Sequence, residues 1–285
     1  MTNSKKTKSS KDSHYAKLRR QFRDKKAGVD PNDPKTFRPR PHQEAERVPE
    51  GRIYLFGLHT VRAALENSER KIHTMFATDN ALTRLDITNP SDLPFTVEIT
   101  TPKILDSKVG SDAVHQGVVL EADPLAPKHL NDLDRSDLLL VLDQVTDPHN
   151  VGAIMRSAVA LNAGALITTS RHSPQESGTL AKSASGALEL IPHIEVRNLA
   201  NALGELNKMG FQTVGLDSEG PNIIEESLQG KKLAIVLGAE GKGLRQKTRE
   251  TVTTLARLDM PGAIKSLNVS NAAALALYVA RKKLG

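Results

Sequence analysis

LLLVLDQVTDPHNVGAIMRSAVALNA, residues 138–163, opens with five apolar residues in a row and closes that run on Asp143. An apolar run without polar alternation reads as a strand buried on both faces, the habit of a parallel sheet. Pro148 stops the strand, and Asn150 is an N-cap for a helix beginning at Val151. That helix is small or apolar to Ala163, with Arg156 its only charge. A helix without a polar face belongs in a core. A guanidinium on it must therefore reach an opening or a partner; the alternative is an arginine snorkelling at the edge.

The alternation continues from this unit to the C-terminus. GALITT (164–169), HIEVRN (193–198), FQTVGLD (211–217) and LAIVLG (233–238) read as strands. ESGTLAKSASGAL (176–188), LANALGELNKMG (199–210) and SNAAALALYVARKKLG (270–285) read as helices, the second closed by its glycine. Such alternation predicts an α/β domain, a mainly parallel sheet with helices on both faces. Ligands of such sheets bind at the carboxyl ends of the strands. Upstream, RIYLFG (52–57), KIHTMFAT (71–78), FTVEIT (95–100) and GVVLEAD (117–123) read as short strands. LHTVRAALEN (58–67) reads as an amphipathic helix with Val61, Ala64 and Leu65 on one face, and TPKILDS (101–107) as a shorter one. The organisation expected is a basic, disordered tail over 1–50, a small α/β domain over 51–123, a Pro-containing linker over 124–137 and the parallel-sheet domain over 138–285.

Charge is divided along the same lines. Residues 1–50 hold 14 Lys and Arg against 7 Asp and Glu, whereas the other 235 residues hold 25 against 26. A basic arm on a near-neutral body suits a polyanion such as RNA; a merely solvated tail is the plainer alternative. The acids in the arm, Asp12, Asp24, Asp30 and Asp33, argue against a mitochondrial transit peptide. No apolar leader precedes it and no apolar run nears the ~20 residues of a membrane span, so a cytoplasmic location is expected. The chain has no cysteine, which excludes disulfides, thiolate metal sites and cysteine nucleophiles. With no Trp, 6 Phe and 3 Tyr, it lacks the means for an extended base-stacking platform.

Three loops, each following a strand of the second domain, carry the polar groups. The first, Asp143–Ala158, holds Asn150 and Arg156. His149 with Asp143 and Asp147 is too sparse a set to suggest a metal, and none is expected. The second, LGAEGKGLRQKT (Leu237–Thr248), is rich in glycine, but its G-x-x-G-x-G spacing is neither a P-loop nor a dinucleotide fingerprint. Glu240 within it repels phosphate and suits a neutral or cationic ligand. The third, LDMPGAIKSLNVSNAAA (Leu258–Ala274), places Ser266, Asn268 and Ser270 before an apolar helix, and any of the three is a fit cap.

Taken together, NVGAIMR (Asn150–Arg156), LGAEGKG (Leu237–Gly243) and SLNVS (Ser266–Ser270) resemble, in order and spacing, the three motifs of the SPOUT methyltransferases, TrmH/SpoU branch. VHQGVVLEAD (114–123), the domain before it and DPHN (147–150) resemble the subgroup that acts on 23S rRNA guanosines. The resemblance implies a kink-turn-binding ribosomal-protein-like RNA domain followed by a parallel-sheet domain with a deep trefoil knot, an exception to unknotted topology. It implies S-adenosylmethionine as cofactor, held by Leu237, Gly238, Gly243, Leu258 and Leu267. It implies a homodimer with sites at the dimer interface, RNA as partner, and Arg156, Asn150, Glu240, Ser266 and Asn268 as the catalytic set. One departure is visible: close relatives usually carry Pro directly after the strand in the third loop, whereas here the order is Leu258-Asp259-Met260-Pro261-Gly262. The expected reaction is methyl transfer to the ribose 2′-hydroxyl of a guanosine in large-subunit rRNA. The rivals are the same reaction on tRNA, a non-catalytic RNA-binding protein, and a nucleotide-dependent enzyme such as a dehydrogenase.

Overall fold

The computed structural model describes residues 45–133 and 136–285. The basic tail therefore lies outside the described residues up to position 44. The first domain runs β1 (Ile53–Phe56), α1 (Leu58–Glu66), β2 (Ile72–Ala77), α2 (Asp79–Arg84), β3 (Thr96–Ile99), α3 (Pro102–Val109) and β4 (Val118–Ala122). Its strands lie in the order β1-β4-β2-β3, with β4 antiparallel to both neighbours and β2 parallel to β3. The sequence pattern does not reveal α2, because six residues are too few to show a period. A local cap makes it: the Thr78 side chain accepts the Ala81 N–H.

The second domain runs β5 (Leu138–Asp143), α4 (Pro148–Ala160), β6 (Ala165–Thr169), α5 (Gly178–Ala184), β7 (His193–Val196), α6 (Leu199–Lys208), β8 (Gln212–Leu216), β9 (Asn222–Ile223), α7 (Ile224–Ser227), β10 (Leu233–Gly238), α8 (Gln246–Thr251), β11 (Thr254–Arg257) and α9 (Val269–Leu284). Its strands form one sheet in the order β7-β6-β5-β10-β8-β11-β9. Every neighbouring pair is parallel, as the alternation predicts. The two central strands are buried on both faces. Leu138, Leu140, Leu142, Leu233, Ile235 and Leu237 pack in one cluster with Ile154 of α4 and Leu277 of α9. Leu139, Val141, Ala234 and Val236 face the opposite way, onto Leu199, Leu203 and Leu206 of α6. Each such Leu or Ile contributes about 1.5–3 kcal/mol by its burial, which fixes where the carboxyl ends of β5 and β10 lie.

One helix expectation needs correction. The cap of α4 is Asp147, whose Oδ1 accepts the His149 N–H at 2.9 Å, not Asn150. Pro148 starts the helix rather than ending the strand, since its fixed φ and missing N–H suit a first helical position. This places Asn150 inside the first turn with its side chain free for other partners. In a single chain, α9 is not covered on every side: Leu275 is 49% and Tyr278 53% exposed.

The two domains share one apolar core, which runs from Leu55 and Val61 to Leu180 and Leu188. At the seam Gly178 lies so close to β1 that a Cβ there would come within 2.3 Å of Tyr54 O. The segment expected as a linker is packed too. Lys128 bridges to Ile194 of β7, and Leu130 and Leu133 rest on the α6 side of the sheet.

Candidate functional site

The register of the central strands builds the site. Leu142 pairs with Leu237 and Asp143 with Gly238, so the loops that leave β5 and β10 start side by side. Helix α9 packs on α4 and β10, which brings the loop before it to the same edge. Three polar side chains meet there. Glu240 Oε1 accepts from Asn268 Nδ2 at 2.6 Å, from the Val269 N–H at 3.1 Å and from Asn150 Nδ2 at 3.4 Å. Asn268 Nδ2 also donates to Asn150 Oδ1 at 3.0 Å. The remaining atom of Asn268 is used as well: its Oδ1 accepts the Ser270 N–H at 2.9 Å, which makes Asn268 the cap of α9. One asparagine thus ends a helix and orients a carboxylate.

Beside this cluster lies a cavity of about 290 Å³. All five residues expected at the cofactor line it, Leu237, Gly238, Gly243, Leu258 and Leu267, and so do Glu240 and Ser266. The altered order after β11 leaves both Leu258 and Met260 on its wall. The sequence reading misses its far side, Leu216, Asp217 and Ser218. These residues follow β8, and the rule that ligands lie beyond strand carboxyl ends was the signal for them. Both carboxylate oxygens of Asp217 are engaged, by Arg249 and by the Glu219 N–H. Lys265 Nζ donates to Met260 O at 2.5 Å. The wall is thus mainly apolar side chains and backbone, with Asp217 and Lys265 already partnered, the hydroxyls of Ser218 and Ser266, the Glu240 carboxylate, and no cluster of cations. That donor set fits a molecule with a flat apolar ring and a cationic centre.

The glycines of the second loop serve the loop itself. A Cβ on Gly238 would lie 2.1 Å from the Gly243 carbonyl carbon, and Gly243 N–H donates to Ala239 O at 2.9 Å. Gly241 and Gly243 hold φ of +75° and +65°, which glycine tolerates. The returning chain is pinned by Asp143, whose side chain is fully buried. It accepts the Arg245 N–H at 3.0 Å and Arg245 Nε at 2.6 Å. Asp143 and Asp147 are therefore engaged in structure, and His149 Nδ1 lies 3.0 Å from Ser183 Oγ. Among the described residues no group of three or more His, Cys, Asp or Glu is placed to hold a metal ion.

Arg156 stands apart. It is exposed on α4, and no other described residue pairs with its guanidinium. Of the five catalytic candidates, the structure joins Asn150, Glu240 and Asn268 by hydrogen bonds, sets Ser266 on the adjoining wall, and leaves Arg156 on the outer surface.

A parallel-sheet domain with a polar cluster and a cavity at the carboxyl ends of its strands, fused to a small four-stranded domain, defines a known class. The fold is that of the methyltransferase AviRb from Streptomyces viridochromogenes, solved with AdoMet, at a TM-score of 0.70 and 22% identity, covering 82% of this chain and 90% of that one. The model of the SpoU rRNA Methylase family matches residues 137–278, and that of RNA 2′-O ribose methyltransferase substrate binding matches 54–128. Two curated relatives named 23S rRNA (guanosine-2′-O-)-methyltransferase RlmB span most of the chain. The one from Photobacterium profundum is 38% identical over 236 residues, 79% of this chain and 96% of its own length. The one from Ralstonia nicotianae is 37% identical over 238 residues, 79% of this chain and 94% of its own. The chain belongs to the SpoU rRNA methylase family.

Proposed function

We propose that this protein transfers a methyl group from S-adenosylmethionine to the ribose 2′-hydroxyl of a guanosine in 23S rRNA. The observation that carries the reading is the Asn150–Glu240–Asn268 cluster beside an apolar cavity, in a chain akin over most of its length to enzymes of that name. S-adenosylmethionine, when bound, supplies an electrophilic methyl group. Leu237, Gly238, Gly243, Leu258 and Leu267, which line the cavity, would hold it through apolar contact and backbone groups. A ribose hydroxyl is a poor nucleophile, so alignment and relief of its proton are the chemical problem. Glu240 fixes the amides of Asn150 and Asn268, and its Oε2 has no partner among the described residues. Ser266 supplies a further hydroxyl at the wall. The task of Arg156, with its planar fork of donors, is to hold the substrate phosphate and stabilise charge developing on the 2′-oxygen.

Six residues separate Asn150 from Arg156. On a helix that is about 9 Å along the axis and about a third of a turn round it, so one copy of α4 does not aim both at one point. This geometry supports a homodimer in which a second copy completes the site, and the exposed Leu275 and Tyr278 of α9 suit that contact. The reading also carries the knotted threading of the second domain, the first domain as the RNA reader and a cytoplasmic location; among the described residues no helix is long and apolar enough to cross a membrane.

The test is incorporation of labelled methyl from S-adenosylmethionine into 23S rRNA transcripts, with the product nucleoside identified after digestion and the mass of the active species measured by light scattering. 2′-O-methylguanosine made by a dimer is expected. Label entering only tRNA moves the substrate, and binding of rRNA without transfer makes the protein a non-catalytic reader.

A further inference from the structure

One cation at the seam between the domains stands without a carboxylate. Lys182, on α5, sends Nζ to Gln116 Oε1 at 2.7 Å. The same oxygen accepts the Leu58 N–H at 3.1 Å, and Gln116 sits in the turn before β4 with φ +56°. Gly57 makes the room for the lysine, since a Cβ there would lie 2.2 Å from Nζ. Among the described residues no Asp or Glu pairs with Lys182. Partial burial lowers its pKa from the usual lysine value, because desolvation disfavours the charged form.

The contrast with its neighbour at the seam is informative. Arg70 is answered by two carboxylates, from Glu189 and Glu176. Lys182 gives up part of its hydration to a neutral amide, with no carboxylate among the described residues to answer its charge. An ammonium so placed is complementary to an anion that arrives from outside. Its position says which anion. The next residue, Ser183, lies 3.0 Å from His149 Nδ1, and His149 adjoins Asn150 of the polar cluster. On its other side Lys182 touches the domain matched by the RNA substrate-binding model. The lysine therefore lies between the part of the chain that engages RNA and the part that holds the reacting groups.

We propose that Lys182 is a phosphodiester-binding residue, taking one backbone phosphate of the RNA strand as it passes from the first domain to the polar cluster. The proposal rests on the methyltransferase reading above. Such a contact sets the register of the strand without reading its sequence. Gln116 holds Nζ at the seam until phosphate oxygens compete for it.

The experiment measures binding of a labelled 23S rRNA transcript to the full chain across a range of salt, for wild type, Lys182→Gln, Lys182→Arg and Gln116→Ala. Loss of one single-strand phosphate contact lowers the slope of log K against log salt by about 0.7, which is about fivefold in affinity between 1 M and 0.1 M salt. Lys182→Gln is expected to show that loss. Lys182→Arg and Gln116→Ala keep the charge and are expected to keep the slope. S-adenosylhomocysteine affinity, read by calorimetry, stays at the wild-type value in all three and reports an intact cofactor domain. A wild-type slope for Lys182→Gln overturns the proposal. So does a Gln116→Ala chain that loses as much as Lys182→Gln, since the effect would then come from the seam contact. A wild-type chain that moves no methyl group into rRNA overturns the functional reading instead, and the phosphate site with it.

Discussion

Removing Arg70 should loosen the seam between the two domains. Its side chain is 0% exposed and that of Glu189 is 1%. Its Nη2 donates to Glu189 Oε1 at 2.6 Å and its Nε to Glu189 Oε2 at 3.2 Å. Its Nη1 donates to Glu176 Oε1 at 2.6 Å and to Asp123 O at 2.8 Å. Arg70→Ala leaves Glu189 with Asn67 Nδ2, at 2.7 Å, as its remaining side-chain donor. Taking one partner from a buried ion pair costs about 3–5 kcal/mol, because a charge is left in a poorly solvated place. At roughly 2–4 °C per kcal/mol for a chain of this size, the midpoint of thermal unfolding should fall by about 6–20 °C. Circular dichroism melts measure this. Screening barely reaches a buried pair, so the loss should be the same in low and high salt. The double variant Arg70→Met with Glu189→Met should recover much of it, since apolar groups of similar volume replace buried pairs well. A fall for Arg70→Ala of under about 2 °C, or one that vanishes at about 1 M salt, would refute the reasoning by showing a solvated cluster. The seam also places the first domain, so kcat/KM for rRNA should drop while S-adenosylhomocysteine affinity holds.

Other outcomes follow from the same contacts. Arg156→Lys should fail nearly as badly as Arg156→Ala in single-turnover methylation, by roughly 10²–10³ in rate, because a planar fork of donors is needed and not charge alone; near-normal turnover by either would make Arg156 a surface residue only. Gly238→Ala should cost about 1–3 kcal/mol by overpacking, since its Cβ meets backbone and not a movable side chain; unchanged melting with unchanged cofactor affinity would contradict that. His193 lies 2.9 Å from Thr168 Oγ1, and burial pushes its pKa down to about 4. The unfolded chain, titrating near about 6.5, then binds the extra proton. Its contribution, up to about 3 kcal/mol, is therefore present above about pH 6.5 and lost as pH falls towards 4. His193→Asn should flatten the pH dependence of melting in that window, and an unchanged dependence would reject the assignment.

The central sheet was legible because its strands are long and apolar on both faces, as LLLVLD and LAIVLG show. The edge was not. β9 has two residues and β11 reads TLAR, so neither carries enough apolar pattern to separate from a loop. The three polar loops could be marked one by one, but their meeting could not. The contacts of Asn150 with Glu240 and Asn268 span 90 and 118 residues and depend on register. The cap of α4 was misplaced for a simpler reason. Asp147 and Asn150 are equally good caps by type, and Pro148 decides between them only once it is seen as the first helical residue. Asp143 showed its role least of all, because an acid at a strand end gives no sign that a residue 102 positions later will bury it.

The order in which strands enter the sheet explains why the site is where it is. From β5 the chain moves outward through β6 to β7, then returns to the other side as β8, and β10 later fills the place between β5 and β8. The loops leaving β5 and β10 meet through Asn150 with Glu240 and Asp143 with Arg245, and the cavity opens on the other side of β10, beyond the carboxyl ends of β8 and β11. The side chains where the loops meet need only be short and polar, because the backbone already brings their loops together. Asn150, Glu240 and Asn268 meet this condition and come from three separate elements. A single substitution there disturbs one corner of a triangle whose other corners stay in place. A Cβ at Gly238 presses instead on the Gly243 and Leu244 backbone, and so moves the loop that carries Glu240, the corner to which both amides bond. Activity should for this reason be more sensitive to Gly238, which opens the second loop, than to either amide of the cluster.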